Sequence, residues 1–223
     1  MNKFPEDLAD GFRQFHATDY AQNLNHYRQL AELGQAPRVM LIACADSRVS
    51  PGSIFKAKIG EIFTVRNVAN LVPPHETTGK YHGVSAALQF AVNDLKVQHI
   101  IVMGHSQCGG IKACLHGTHN ADDDFIANWM SLLNDTRAEL LAKNPRPELA
   151  PAMLERAGIR TSLANLRSFP DVKKREDDGL LSLHGAHFNI GTGMLSVLNE
   201  ENGEFTPLLL DGLEDNLKRT AVR

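Results

Sequence analysis

Apolar positions along the chain fall into two kinds of pattern, and their alternation predicts the architecture. Val39 to Ala43 is an unbroken apolar run, rich in branched residues, too short for a typical helix and bounded by Pro37 and Cys44. Such a run predicts a buried strand. Gly60–Arg66 and His99–Gly104 predict a second and a third strand, and Leu180–Leu183 a fourth. His187–Ile190 continues or ends the fourth strand. Met194–Leu198 returns as an antiparallel edge, with Gly191 and Gly193 suited to the hairpin between them.

Between these runs the apolar spacing turns helical. Leu8, Phe12 and Phe15, then Leu24, Tyr27 and Leu30, predict one or two amphipathic helices over 6–33, with Gly34 as the stop. Ser50-Pro51 opens a short helix near Ile54-Phe55. Tyr81, Val84, Leu88, Ala91 and Leu95 share one face of a helix over 78–96. Gly109-Gly110 opens another helix, running to about Leu115. Helices are expected over 124–143 and 147–168, separated by Pro145 and Pro147; Leu154, Ile159, Leu163 and Leu166 form the buried side of the latter. The expectation is a single α/β domain. It has a mostly parallel central sheet of four strands, an antiparallel edge strand and helices on both faces. Residues 1–34 form a helical arm, 35–200 the core and 201–223 a charged, fraying tail. The arm is free to pack on its own subunit or on a neighbour.

Bulk properties narrow the function. The chain has 223 residues, of which 43% are hydrophobic and 22% charged. Its net charge of −3 gives no footprint for nucleic acid, and no apolar run approaches membrane-spanning length. The first residues lack the apolar core of a signal peptide. Three cysteines are too few for a disulfide framework. A cytoplasmic location is expected, where cysteines more often bind metal or react than cross-link.

The candidate chemistry lies at two strand ends. The first strand delivers Cys44, Asp46 and Arg48; the third delivers His105 and Cys108. If these strands are neighbours, with the second strand outside the first, their carboxyl ends form a topological switch point. Cys44, His105 and Cys108 then make a two-thiolate, one-imidazole set. This is the ligand count of a catalytic zinc site with one open position, and zinc suits such mixed ligands better than magnesium or calcium does. Alone, His-x-x-Cys is a common chance match, and a cysteine ending a strand is usually a small core residue. Arg48 can clamp Asp46 through two N–H donors and keep it ionised. The pair can equally be a surface salt bridge of little worth. Cys114 reads as core. His116, His119, His184 and His187 are possible proton relays or ordinary histidines. Gly109-Gly110 does not complete a phosphate-loop pattern.

Together, Cys44-Ala-Asp46-Ser-Arg48 and His105-Ser-Gln-Cys108-Gly109-Gly110 resemble the signature pair of the β-class carbonic anhydrases, plant-type subgroup. Arg66-Asn-Val-Ala-Asn70 and Gly-Gly-Ile-Lys after Cys108 match too. The resemblance covers roughly 35–200. It implies one Zn2+ per subunit on Cys44, His105 and Cys108, and reversible hydration of carbon dioxide to bicarbonate. The nucleophile would be a hydroxide oriented by Asp46 and Arg48. Gln35, Phe63, Val68 and Phe90 would fall at pocket positions, with Gln35 reaching across from a partner subunit, and the Gly109 N–H at an anion contact. Phe63 and Phe90 are also good core residues, and Gln35 facing water is the alternative reading. Phe90 stands where a tyrosine is common. The resemblance also implies a dimer, or a dimer of dimers.

Some relatives carry a second, inhibitory bicarbonate site and an aspartate that swings onto zinc. Here the matching positions are Leu41, Ala43 and Phe188. The expectation is no such site, with Asp46 paired to Arg48 near neutral pH. Two other readings stay open: carbonyl sulfide or carbon disulfide hydrolysis on the same residues, and a non-catalytic zinc scaffold.

Overall fold

The computed structural model of the chain describes residues 4–79, 82–116 and 125–208. Tyr81, His119 and the acidic run at 122–124 therefore lie outside the described residues, as does the tail beyond 208.

Six strands form one sheet: β1 Val39–Cys44, β2 Ile62–Asn67, β3 His99–His105, β4 Ser182–Phe188, β5 Leu195–Asn199 and β6 Glu204–Pro207. Their order is β2-β1-β3-β4-β5-β6. The first four are parallel and the last two antiparallel. β1 and β3 are neighbours, with β2 outside β1, so the order in which strands are added reverses at β1 and the switch point lies at the carboxyl ends of β1 and β3.

β1 is buried on both faces, which is why its sequence reads as a continuous apolar run instead of an alternating one. Met40 and Ile42 face a core shared with Leu88, Val92, Ile159, Leu163 and Val172. Leu41 and Ala43 face the opposite side, with Val49, Met103 and Ala186. Helices α1 Glu6–Phe15 and α2 Leu24–Leu33 form the arm. The short helix α3 Pro51–Ile54 follows β1 with proline in its first turn, where a missing N–H costs nothing. The first face is covered by α4 Gly83–Gln89, α8 Ala150–Leu166 and α9 Pro170–Asp177. Beside them, α5 Gly109–His116, α6 Phe125–Met130 and α7 Asn134–Ala142 enclose a separate cluster around Leu133 and Leu154.

Three differences from expectation have physical causes. The helix expected over 78–96 is α-helical only to Gln89. Phe90–Asp94 is a π-turn, closed by the Leu95 N–H on the Phe90 carbonyl, and it buries both Ala91 and Val92. The tail contributes β6, which carries one partly buried apolar residue, Phe205, and ends at Pro207. A proline is tolerated there because the strand is an edge. The β5–β6 hairpin turns through Asn202-Gly203, with Gly203 at φ +72°. Helix α9 has almost no apolar periodicity, since Val172 is its one buried residue.

The arm packs on its own subunit at α2, where Leu30 lies against Gly60 and His26 meets the Ile59 carbonyl at 3.0 Å. No residue of α1 or α2 is buried. Phe4, Leu8 and Phe12 stay exposed. Among the described residues, no helix is long and apolar enough to cross a membrane.

Candidate metal centre

Cys44 is the last residue of β1 and His105 the last of β3, and the two strands run side by side in register. A tight turn through Gln107, at φ +57°, then brings Cys108 to the start of α5. The ligating atoms of all three lie within 4.8 Å of one another, and all three residues are buried. The Cys44 and Cys108 sulfurs are 3.9 Å apart, far beyond a disulfide bond. His105 Nδ1 lies 3.0 Å from the Ser106 carbonyl, which fixes the proton on that nitrogen. Nε2 is left buried with no hydrogen-bond partner among the described residues. A buried lone pair without a partner, beside two sulfurs, is what a zinc ion would satisfy, so the residues fit this metal.

The backbone favours thiolates here. The Ala69 N–H points at Cys44 Sγ, 3.4 Å away. The N–H groups of Gly110 and Ile111, in the first turn of α5, point at the Cys108 sulfur and pull its pKa down. In the metal-free pair the hydrogen bond from Cys108 holds the Cys44 thiol below its ordinary range, and the same contact and burial push Cys108 up. A divalent cation would favour both thiolates over this shared hydrogen bond.

The turn after β2 is built to make these contacts. Ala69 and Asn70 both sit at positive φ, +63° and +50°. The Asn67 side chain braces this turn, donating to the Leu71 carbonyl at 2.8 Å and accepting the Leu71 N–H at 2.9 Å. Arg66 holds the adjacent loop by three carbonyls: Cys44 at 3.0 Å, Asp46 at 2.7 Å and Val49 at 2.6 Å. Gly110 lets α5 approach, since a Cβ there would fall 2.7 Å from Val68 Cγ1.

Asp46 lies at the rim of this cluster. Its Oδ1 accepts the Arg48 backbone N–H at 3.0 Å and Nε at 2.9 Å, and its Oδ2 accepts Nη2 at 2.8 Å. Oδ2 also lies 3.9 Å from His105 Nε2. The Arg48 hydrogen bonds hold the Asp46 carboxyl well below the usual carboxylate range, against partial burial. Arg48 Nη2 reaches the Gln107 carbonyl as well, at 3.2 Å.

The remaining candidates divide into two groups. Val68 and Gly109 stand beside the cluster. Open space surrounds Gly109, and Val68 lines a cavity of about 610 Å3 with Asn67, His82, Val84, Phe125 and Trp129. Gln35, Phe63 and Phe90 do not reach their own chain's cluster. β1 alone puts roughly 16 Å between Val39 and Cys44, and Gln35 lies exposed before Val39. Phe63 is in register with Met40, four residues short of Cys44, and its ring lies 6.0 Å from that of Phe90. Leu41 and Ala43 pack with Phe188 in an apolar cluster. Cys114 is buried, and burial pushes its thiol up. His184 is paired with His99 at 3.1 Å, His187 with Glu155 at 3.0 Å, and His116 is exposed at the end of α5. The sequence reading missed Glu155. Its one signal is position: it shares the i, i+4, i+7 and i+11 stripe of α8 with buried Ile159, Ser162 and Leu166.

Comparison with known proteins agrees with this geometry. The carbonic anhydrase family matches residues 39–195. Beta carbonic anhydrase 5, chloroplastic, of Arabidopsis thaliana is 38% identical over 187 residues, covering 82% of this chain and 61% of that protein. The chain thus spans about three-fifths of that relative. Among solved structures, the β-carbonic anhydrase CcaA superposes with a TM-score of 0.85 at 29% identity, covering 92% of each chain. One of two tetrameric β-carbonic anhydrases from Sordaria macrospora superposes with a TM-score of 0.74 at 26% identity, over 87% of this chain and 96% of that one.

Proposed function

The chain belongs to the β-carbonic anhydrase family, and from that premise we propose that it catalyses the reversible hydration of carbon dioxide to bicarbonate with one zinc ion per subunit. The observation that carries this is the buried Cys44–His105–Cys108 cluster, with an unpartnered imidazole nitrogen and an ionised carboxylate at its edge. Cys44 Sγ, His105 Nε2 and Cys108 Sγ would hold the metal. When bound, zinc supplies hydroxide near neutral pH by lowering the pKa of water to about 7.

Asp46 and Arg48 do the orienting. Ionised Asp46 only accepts hydrogen bonds, so it selects a nucleophile that donates its hydrogen to Oδ2 and turns its lone pair to the substrate carbon. The two parallel N–H donors of Arg48 keep that oxygen in place. Gly109, the first residue of α5, places the positive end of a helix where negative charge develops on the product. Val68 supplies an apolar wall for an uncharged substrate.

The active unit is at least a dimer. Gln35, Phe63 and Phe90 lie at the far end of β1 from their own cluster, so a pocket role for them requires a neighbouring subunit. A dimer or a dimer of dimers in the cytoplasm is the assembly we favour. Stopped-flow carbon dioxide hydration, with zinc content measured on the same samples, tests the function. The parent protein is expected to bind one zinc per chain and to hydrate carbon dioxide, and Asp46→Ala to keep the zinc and lose most of the rate. Bound zinc without hydration in the parent would support a scaffold instead.

A further inference from the structure

A buried acid–base pair behind the cluster takes no part in the steps above. Glu155 on α8 and His187 on β4 are each 4% exposed. Glu155 Oε2 lies 3.0 Å from His187 Nε2. The other oxygen, Oε1, accepts the backbone N–H of Cys108 at 3.2 Å. Burying a carboxylate is costly even after relaxation, and an apolar pair of similar volume often packs as well or better. Core stability is therefore a poor reason for this pair.

What the pair touches suggests a better one. The Gln107–Cys108 peptide is held at both ends by charged groups. Its carbonyl accepts Arg48 Nη2 at 3.2 Å, and its N–H donates to Glu155 at 3.2 Å. A guanidinium on the oxygen and a carboxylate on the hydrogen polarise this peptide in the same sense. The backbone here is also strained, because Gln107 occupies the left-handed region at φ +57°, which is unfavourable for a residue with a Cβ. Such strain persists where surrounding contacts over-determine it. Arg48 supplies one of those contacts and Glu155 the other.

We propose that Glu155 and His187 are a positioning pair: the imidazole orients the carboxylate, and the carboxylate locks the Gln107–Cys108 peptide. The locked peptide holds the Cys108 sulfur toward Cys44 and His105 and presents the Gln107 carbonyl to Arg48. The metal ligand and the Asp46–Arg48 pair are thereby tied to one rigid unit. His187 is itself held, with its ring edge-on to Phe205 of β6 at 6.5 Å and Arg160 over the far ring at 5.2 Å. The proposal rests on the reading of Cys108 as a zinc ligand.

The test measures metal binding on the full-length chain, not turnover. Zinc dissociation constants are read by competition with a chromophoric chelator, and the cobalt-substituted protein reports ligand geometry through its absorption bands. Glu155→Ala is expected to weaken zinc binding about 10–100-fold, the usual cost of losing a partner behind a metal ligand, and to shift the cobalt bands. Glu155→Gln keeps an acceptor oxygen for the Cys108 N–H and falls between Glu155→Ala and the parent. A purely structural role would lower the unfolding midpoint of the metal-free protein and leave both readouts at parent values; that result overturns the proposal. Where Glu155→Ala does not fold, Glu155→Gln decides: weaker zinc binding with shifted bands supports the proposal, and parent values in both overturn it. A parent protein that binds no zinc overturns the metal reading and this proposal together, whereas unchanged variants overturn this proposal alone.

Discussion

At the scale of single residues, the account turns on Asp46 and on the arginines around it. Its folded-state pKa is depressed by Arg48, so the stabilisation it brings is complete above the ordinary carboxylate range and is lost as pH falls through it and below. Between about pH 5 and 9 the group does not titrate. Asp46→Asn should therefore lower carbon dioxide hydration by about 100-fold, as a misoriented reactant does; a rate within a few-fold of the parent would contradict the orienting role. Arg66 is the second residue to test. It donates to three carbonyls of the loop between Cys44 and Val49, and hydrogen bonds from a charged group contribute about 1.5–3 kcal/mol. Arg66→Ala should lower unfolding free energy by at least one such bond, measured in urea. The closeness of Cys44, His105 and Cys108 and the Asp46–Arg48 contact were legible because each residue sits within a few positions of a strand end, where sequence spacing and spatial proximity coincide. Glu155 and His187 were not, because they lie 47 and 32 positions from the groups they bond and only the packing of α8 on the sheet joins them. Arg66 was legible as part of a motif but not as the strap over the neighbouring loop.

At the scale of elements, the apolar runs mark the strands, and the closeness of α8 to the sheet follows from two glycines. A Cβ on Gly104 of β3 would fall 2.9 Å from Ile159 Cδ1, and one on Gly185 of β4 would fall 2.9 Å from Ile159 Cγ2 and 3.0 Å from Leu198 Cβ. Ile159 thus seats α8 in a notch between two strands, and the same helix carries Glu155 one turn earlier. Gly185→Ala has no flexible side-chain end to push aside, so overpacking should cost about 1–3 kcal/mol in denaturant unfolding; an unchanged midpoint would show that α8 is not held this closely. β1 and β3 could be read because buried parallel strands are apolar nearly throughout, whereas β4 runs Ser182–Phe188, beyond the apolar Leu180–Leu183 run, because two histidines and a glycine interrupt its pattern. β6 could not, since an edge strand of four residues with one partly buried side chain leaves little pattern. The π-turn at Phe90–Asp94 preserves the apolar face while changing the hydrogen bonding, so periodicity does not reveal it.

At the scale of the whole molecule, exposed apolar surface and the metal each predict a measurable dependence. Phe4, Leu8 and Phe12 on the arm are exposed in the single chain. A cavity of about 870 Å3 between α2 and the sheet is lined by Leu30, Leu33, Leu41, Phe55 and Ile101. Light scattering should therefore give a mass of at least two chains, and a stable monomer that hydrates carbon dioxide at full rate would contradict the shared pocket. Zinc bound to the folded state alone stabilises it by mass action, about 2.7 kcal/mol at a hundredfold excess over its dissociation constant. Chelation should accordingly lower the melting temperature and added zinc restore it. The most direct measurement of the central claim is zinc X-ray absorption on the purified protein at neutral pH. The account predicts two sulfur neighbours near 2.3 Å and two nitrogen or oxygen neighbours near 2.0–2.1 Å; a shell of any other sulfur count would contradict it.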